Sequence, residues 1–421
     1  MSLTYEEALD FLFPRTTTIK FGLSTTRALL KSVGNPHELM PSVHVGGTNG
    51  KGSVTTLVAA ALREAGWRVG LYTSPHLISF RERIQVDGVP ISEAAVAMWT
   101  ARLLSPILER KATFFEATTA LAFADFAARG AEIAVVEVGL GGRLDSTNVI
   151  TPLVSGVTKI AEDHMKYLGD TLELIACEKA GIAKPGVPFI IGETDTELVE
   201  VLRREARRAV ERAGGRTAGR TDPDIRVLPR EYEWCGPLSL AGPHQRRNAA
   251  VAHGILMALP EPYRPAEEEI ARAFGSVRVA GRLDRRGRWL FDVAHNPDGM
   301  RSLVIALAAI RPTRPVHALV SILGDKDWPE MLVQLDQAID RGVLTIAPTA
   351  AGRGWDIDWL GRWLSDPSRP PPHASWTLVP DFAEAIEKVQ EGAGTMLVTG
   401  SFHTVGDVMQ FLGMDVQSLT A

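Results

Sequence analysis

From Ser42 onward, short runs of β-branched and aliphatic residues alternate with stretches whose apolar positions recur every three or four residues. The runs fall at 42–45, 69–73, 133–138, 153–158 and 187–191, and the alternation predicts βα units on a parallel sheet. A glycine-rich stretch follows the first run. Beyond it, Val54, Leu57, Val58, Ala61 and Leu62 share one helical face until Gly66 stops the pattern. A second series, at 289–292, 317–322, 343–346, 376–379 and 396–399, predicts a separate, smaller α/β domain. The boundary is placed after a helix expected at 267–274, giving domains of 1–276 and 277–421.

The arginine-rich stretch 203–212 suggests RNA at first sight. Leu198, Val201, Leu202, Ala206, Ala209 and Val210 recur beneath those charges at helical spacing, so a solvated helix face is the better account. Thr194 with Glu197 is the expected capping box, and Gly214-Gly215 the expected stop.

With 421 residues, 45% of them hydrophobic and 23% charged, the chain can bury more than one core. Its formal net charge of −5 offers no general attraction to nucleic acid or anionic membrane, so a phosphate ligand would need a local site. Cys177 and Cys235 are too few for a disulfide framework and lack metal-ligand spacing, which suits a reducing cytoplasm. No run of about 18 apolar residues suggests a membrane span, and residues 1–10 carry no secretory pattern.

The candidate chemistry begins at Gly46-Gly47-Thr48-Asn49-Gly50-Lys51-Gly52-Ser53. Glycines there would let backbone N–H groups approach phosphate oxygens while the next helix presents its positive end. Lys51 would add charge near the β and γ phosphates, and Ser53 a hydroxyl for Mg²⁺. The spacing departs from the common phosphate loop at Val45 and Gly52, so alone it also fits a ligand-free βα turn. Glu137 ends an apolar strand, where ligands collect in open α/β sheets. His164 and Lys179 carry no chemical signature of their own and read as structural and solvated residues. In the second domain Asp292, His295 and Asn296-Pro297 again cluster after a strand, and Arg282 stands near the boundary, where a closing two-domain site is expected.

Together these segments resemble the folylpolyglutamate synthase and dihydrofolate synthase family of the Mur ligase superfamily. The matching stretches are HVGGTNGKGSV from His44, TSPHL from Thr73, RERI from Arg81, EVGLGGRLDSTN from Glu137, EDHMKYLG from Glu162, EKAGIAK from Glu178, GPHQRRNAA from Gly242, GRLD from Gly281 and DVAHNP from Asp292. The resemblance implies a Mur-ligase-type P-loop ATPase domain followed by a smaller Rossmann-like α/β domain. It implies ATP held by Gly47, Thr48, Asn49, Gly50, Lys51, Gly52 and Ser53 together with Gln245, Asn248, Arg282 and Asp292. Two Mg²⁺ sites are implied, with Ser53, Glu137 and His164 as ligands, and Lys179 carbamylated by CO₂ as a further one; K⁺ is an additional candidate.

For the folate or pteroate the resemblance points to Ser74, Pro75, His76, Thr113, Phe115, Asp145 and Ser146. For L-glutamate it points to Asp292, His295 and Ser401. Lys51, Lys179 and His295 are the implied catalytic groups. The implied reaction activates the acceptor carboxylate as an acyl phosphate, which the glutamate amine then captures. Stretch 141–145 resembles members that also accept dihydropteroate, whereas Ser146 stands where such members often carry alanine. A monomeric cytoplasmic enzyme is the expectation. The alternatives are a folylpolyglutamate synthase alone, a muramyl ligase, which would carry a UDP-binding domain before the loop where only 45 residues precede Gly46 here, and a nucleotide-binding regulator, which would not need Lys51, Glu137, His164, Lys179, Asp292 and His295 together.

Overall fold

The computed structural model describes residues 3–17, 20–214, 223–350, 352–368 and 371–414. The chain forms two compact units. One comprises Met1–His76, Phe80–Pro237 and Arg247–Ser276; the other comprises Leu77–Ser79, Leu238–Arg246 and Val277–Ala421. Assignment of the two short segments to the second unit has no counterpart in the sequence pattern.

The first unit contains eight strands: β1 Ser42–Gly46, β2 Val69–Tyr72, β3 Ile84–Val86, β4 Val89–Pro90, β5 Ile133–Glu137, β6 Val154–Val157, β7 Phe189–Ile191 and β8 Ile225–Val227. They form one sheet in the order β4-β3-β2-β5-β1-β6-β7-β8. β1 and β5 are buried along their whole lengths, as near-continuous apolar runs in a covered parallel sheet should be. Helix Phe114–Ala128 is apolar almost all round because it lies inside the layer, packing Phe123 and Phe126 with Leu29, Leu30, Trp99 and Val136. Gly70 in β2 admits the Phe126 ring, since a Cβ there would lie 2.8 Å from the ring.

The parallel sheet expected from the pattern carries an antiparallel edge, β2-β3-β4. Its physical basis is Asp87-Gly88, whose φ values of 54° and 77° are both left-handed and turn β3 into β4 as a tight hairpin. The arginine-rich segment is helical over Thr196–Arg212 and buries the anticipated apolar face. Its cap is Asp195 rather than Thr194: the Asp195 carboxylate accepts from the N–H groups of Glu197 and Leu198.

The second unit orders β9 Asp284–Arg286, β10 Trp289–Phe291, β11 Val316–Val320, β12 Arg341–Leu344, β13 Ser375–Leu378 and β14 Thr395–Thr399 as β13-β12-β11-β14-β10-β9. All neighbours are parallel except β9 and β10, which form a hairpin through Gly287 at φ 62°. Helix Trp328–Asp336 is tied to this sheet by its last residue. The Asp336 carboxylate accepts from His373 N at 2.7 Å, Ala374 N at 3.1 Å and Trp376 Nε1 at 2.7 Å. Asp336→Ala would strand three donors, and is expected to lower the stability of this unit by about 3 kcal/mol in chemical denaturation.

Candidate active site

The phosphate loop leaves the carboxyl end of β1, the central strand, between β5 and β6. Gly47 has φ 139° and Gly50 φ 90°, conformations closed to most side chains. Space is equally restrictive: a Cβ on Gly47 would sit 1.8 Å from Thr158 Oγ1, and one on Gly50 2.4 Å from Asn248 Oδ1. Thr158 Oγ1 meets the Asn49 carbonyl at 2.7 Å, and Thr48 N donates to the Lys159 carbonyl at 2.7 Å. The loop is therefore clamped by the segment after β6. Gly50 caps helix Lys51–Glu64 with no side-chain capping hydrogen bond. The first N–H groups and the positive pole thus stand ready for an anion.

Register brings the other candidates to the same edge. Val45 pairs with Glu137 and Gly46 with Val157, so Glu137 ends β5 beside the loop. Glu137 is buried, and its Oε2 accepts from Ser74 N at 3.0 Å. Lys51 Nζ donates to the Thr48 carbonyl at 3.0 Å. Lys179, at the end of helix Leu172–Ala180, is 4% exposed and donates from Nζ to the Gly47 carbonyl at 2.8 Å. Burial and then the Lys51 charge bring its amine down to about 7, against the opposing pull of Asp163 and Asp145. The solvated-helix account of Lys179 is therefore overturned.

His164 sits at φ 52° just before the short helix Met165–Leu168, its N–H on the Asp163 carboxylate at 2.9 Å. Its side chain is partly exposed, with Nε2 3.8 Å from Asp163 Oδ1.

Several acceptor-side candidates have their polar atoms committed locally. Thr113 caps helix Phe114–Ala128 in a box with Glu116. The Asp145 carboxylate accepts from Leu140 N at 2.8 Å and Thr147 N at 2.9 Å, fastening the loop between Glu137 and Ser146. Phe115 covers Gly139, where a Cβ would strike the ring at 2.3 Å, and Ser146 is buried. Ser74 precedes a cis Pro75, and His76 Nδ1 accepts from Arg83 Nε at 2.7 Å. Arg83, within the RERI motif, has no role assigned from the sequence. Arg83 is 8% exposed and its guanidinium lies 5.2 Å from the centre of the Phe114 ring, where burial lowers its pKa.

In the second unit, Asp292 follows β10 and accepts from Leu283 N and Ala294 N, both at 3.0 Å. Burial pushes this carboxyl up, opposed by the nearby Arg282 charge and those two N–H groups. His295 donates from Nδ1 to the Val293 carbonyl at 2.8 Å, which fixes the orientation of its ring. Arg282 and His295 both lie against Phe402. Ser401 caps helix Phe402–Phe411, accepting from Thr404 N at 3.1 Å, so its hydroxyl is already engaged. Gln245 is buried at the start of helix Pro243–Met257.

Ser53 Oγ is fully buried without a protein hydrogen-bond partner, at the helix start where a nucleotide's cation would lie. Among the described residues no three His, Cys, Asp or Glu side chains gather into a metal cluster. A magnesium ion bound by one hydroxyl, one or two protein ligands and phosphate oxygens fits this donor set; a cage made wholly of protein does not.

Residues 45–256 match the Mur ligase middle domain, and residues 278–402 the Mur ligase glutamate ligase domain. The chain is 33% identical to dihydrofolate synthase/folylpolyglutamate synthase of Bacillus subtilis over 98% of its length and 100% of that protein. Escherichia coli FolC in complex with DHPP and ADP superposes with a TM-score of 0.82 at 29% identity, covering 98% of each chain. A bifunctional folylpolyglutamate synthase/dihydrofolate synthase with Mn, AMPPNP and L-glutamate bound gives a TM-score of 0.80 at 28% identity, again over 98% of each chain. Sequence and fold agree along the chain, and it belongs to the dihydrofolate synthase/folylpolyglutamate synthase family of Mur-type ligases.

Proposed function

We propose that the chain is an ATP-dependent ligase that joins L-glutamate to reduced folates and also to 7,8-dihydropteroate. The observation that carries this reading is the meeting of the glycine loop, Glu137 and the buried Lys179 amine at one edge of the first sheet. Such a site suits phosphoryl transfer. The acceptor carboxylate attacks the γ-phosphorus, the bond to the β-phosphate oxygen breaks, and ADP departs. The amine of glutamate then attacks the carbonyl carbon of the acyl phosphate and expels phosphate.

The chain's own groups bind and position. Backbone N–H groups of 47 and 49–53 cradle the phosphates, that of Thr48 being held by the Lys159 carbonyl; Lys51 offsets charge on the transferred group, and Asn248 supports Gly50. Arg282 and Asp292 serve the nucleotide. Asp292, His295 and the helix start at Ser401 serve glutamate, with His295 Nε2 as acceptor for the amine proton. Mg²⁺, held by Ser53, Glu137 and His164, would draw charge from the phosphate oxygens when bound. Lys179 is proposed to carry a CO₂-derived carbamate that serves a second Mg²⁺. Cys177 and Cys235 are free thiols; a cytoplasmic monomer is part of the proposal. Among the described residues no helix is long and apolar enough to cross a membrane.

The test incubates purified protein with ATP, Mg²⁺ and glutamate plus dihydropteroate or tetrahydrofolate, with and without K⁺, and weighs the products. One added glutamate residue on each acceptor is expected. Product from tetrahydrofolate alone would restrict the chain to folylpolyglutamate synthesis, and none from either would remove the ligase reading.

A further inference from the structure

Beside the strand that feeds the phosphate loop lies a run of buried polar groups that the reaction above leaves without a role. His44 is wholly buried in β1, in register with Val136 of β5 and Ser155 of β6. Its Nε2 lies 2.8 Å from Thr147 Oγ1, on the loop that follows β5. Thr147 has one hydroxyl hydrogen, and it goes to Asp145 Oδ1 at 2.5 Å. The Thr147 oxygen must therefore accept from His44, which makes Nε2 the protonated nitrogen. Nδ1 is left as a buried acceptor with no protein partner. Burial, aided by the Lys184 charge, brings the ring down to about 3, so it stays neutral.

Asp145 is the far end of this chain of bonds. Its carboxylate takes Thr147 N on one oxygen and Leu140 N on the other, and so closes the loop 140–147 on itself. That loop also carries Ser146, a candidate acceptor contact. His44, for its part, stands two residues before Gly46. One strand thus bears the nucleotide loop at its end and grips the acceptor loop from its side.

We propose that His44 is a positioning residue for the acceptor, acting through Thr147 on Asp145, so that β1 sets the spacing between the transferred phosphoryl group and the acceptor carboxylate. The proposal rests on the ligase reading above. The physical stake is alignment: a displacement of about 1 Å between reacting groups costs on the order of 100-fold in rate. The bond from imidazole to hydroxyl to carboxylate has one direction only, and an apolar residue at either of its first two positions breaks it.

The test compares His44→Leu, Thr147→Val, the conservative His44→Gln and Thr147→Ser, and the double variant His44→Leu/Thr147→Val. Each apolar variant is expected to lose roughly 10- to 100-fold in kcat/KM for the acceptor, while the Kd of an ATP analogue stays within threefold. Gln and Ser, which keep the donor and the hydroxyl, should recover most of the loss. The double variant should be little worse than either single one, since both break the same chain. In the unmodified protein, ¹⁵N NMR of His44 at neutral pH should show Nδ1 unprotonated and Nε2 protonated.

Wild-type kcat/KM in folded His44→Leu and Thr147→Val overturns the proposal, and so does a loss in His44→Gln equal to that in His44→Leu. A protonated Nδ1 overturns it without reference to activity. Failure of the wild-type protein to ligate any acceptor would instead sink the ligase reading, a separate result.

Discussion

Lys179→Ala is expected to lower ligation by roughly 10³-fold or more while the protein stays folded. The residue closes no helix cap and fills no apolar core; its amine spans to the Gly47 carbonyl under the phosphate loop. The sign of its pH dependence follows from burial. A buried amine beside Lys51 releases its proton more easily, so the pKa moves down from 10.5 to about 7. Above that value the neutral amine predominates, and only its lone pair can attack CO₂ to give the carbamate and a proton. Enzyme depleted of CO₂ should therefore regain activity about tenfold faster at pH 8 than at pH 6 when the same concentration of dissolved CO₂ is restored, as the neutral fractions for a pKa of about 7 require. A ¹³C carbamate resonance should appear on adding labelled bicarbonate to the wild-type protein and be absent from Lys179→Ala. Full activity in the variant, or no resonance in the wild type, would remove Lys179 from the chemistry.

Gly47→Ala should abolish measurable nucleotide binding and cost about 2–4 kcal/mol in stability. Two effects add. The backbone sits at φ 139°, and the new Cβ would fall 1.8 Å from Thr158 Oγ1 and 3.1 Å from Thr158 N. Thr158 cannot easily yield, because its hydroxyl is hydrogen-bonded to the Asn49 carbonyl. Gly130→Ala separates strain from collision: its φ is 68° but nothing lies within 4 Å of the added carbon. That variant is expected to lose about 1 kcal/mol and keep wild-type affinity for an ATP analogue. Calorimetric titration and chemical denaturation of both variants check the comparison, and unchanged nucleotide affinity in Gly47→Ala would refute the phosphate-loop assignment.

The sheet strands were legible where one signal dominated. Runs such as Ile133 to Val136 are too apolar for an exposed position, and their burial in β5 follows. Asp87-Gly88 is a strong hairpin signal, yet β3 and β4 have only three and two residues, too short for alternation to register. Thr113, Asp145 and Ser401 entered as ligand contacts by resemblance. Each proves to spend its side-chain oxygen on nearby backbone N–H groups, as Thr, Asp and Ser at helix starts and turns commonly do. For Thr113 the capping box was itself legible as Thr-x-x-Glu with Glu116, and it is satisfied within one turn.

What the sequence determined by itself was local: which runs become strands, where glycine frees the chain, and the order of strand, loop and helix from Ser42 to Glu64. Those follow from side-chain periodicity and backbone sterics, which act over a few residues. Only the tertiary structure decided the charge states and partners that make a site. Lys179 lies 132 residues from Gly47, and His44 lies 103 from Thr147. Parallel pairing of β1 with β5 and β6 brings such residues together and excludes water from them. Desolvation and neighbouring charge depend on that assembled surrounding, so an ordinary helix lysine in the sequence becomes, beneath the phosphate loop in the fold, an amine whose pKa is brought down to about 7.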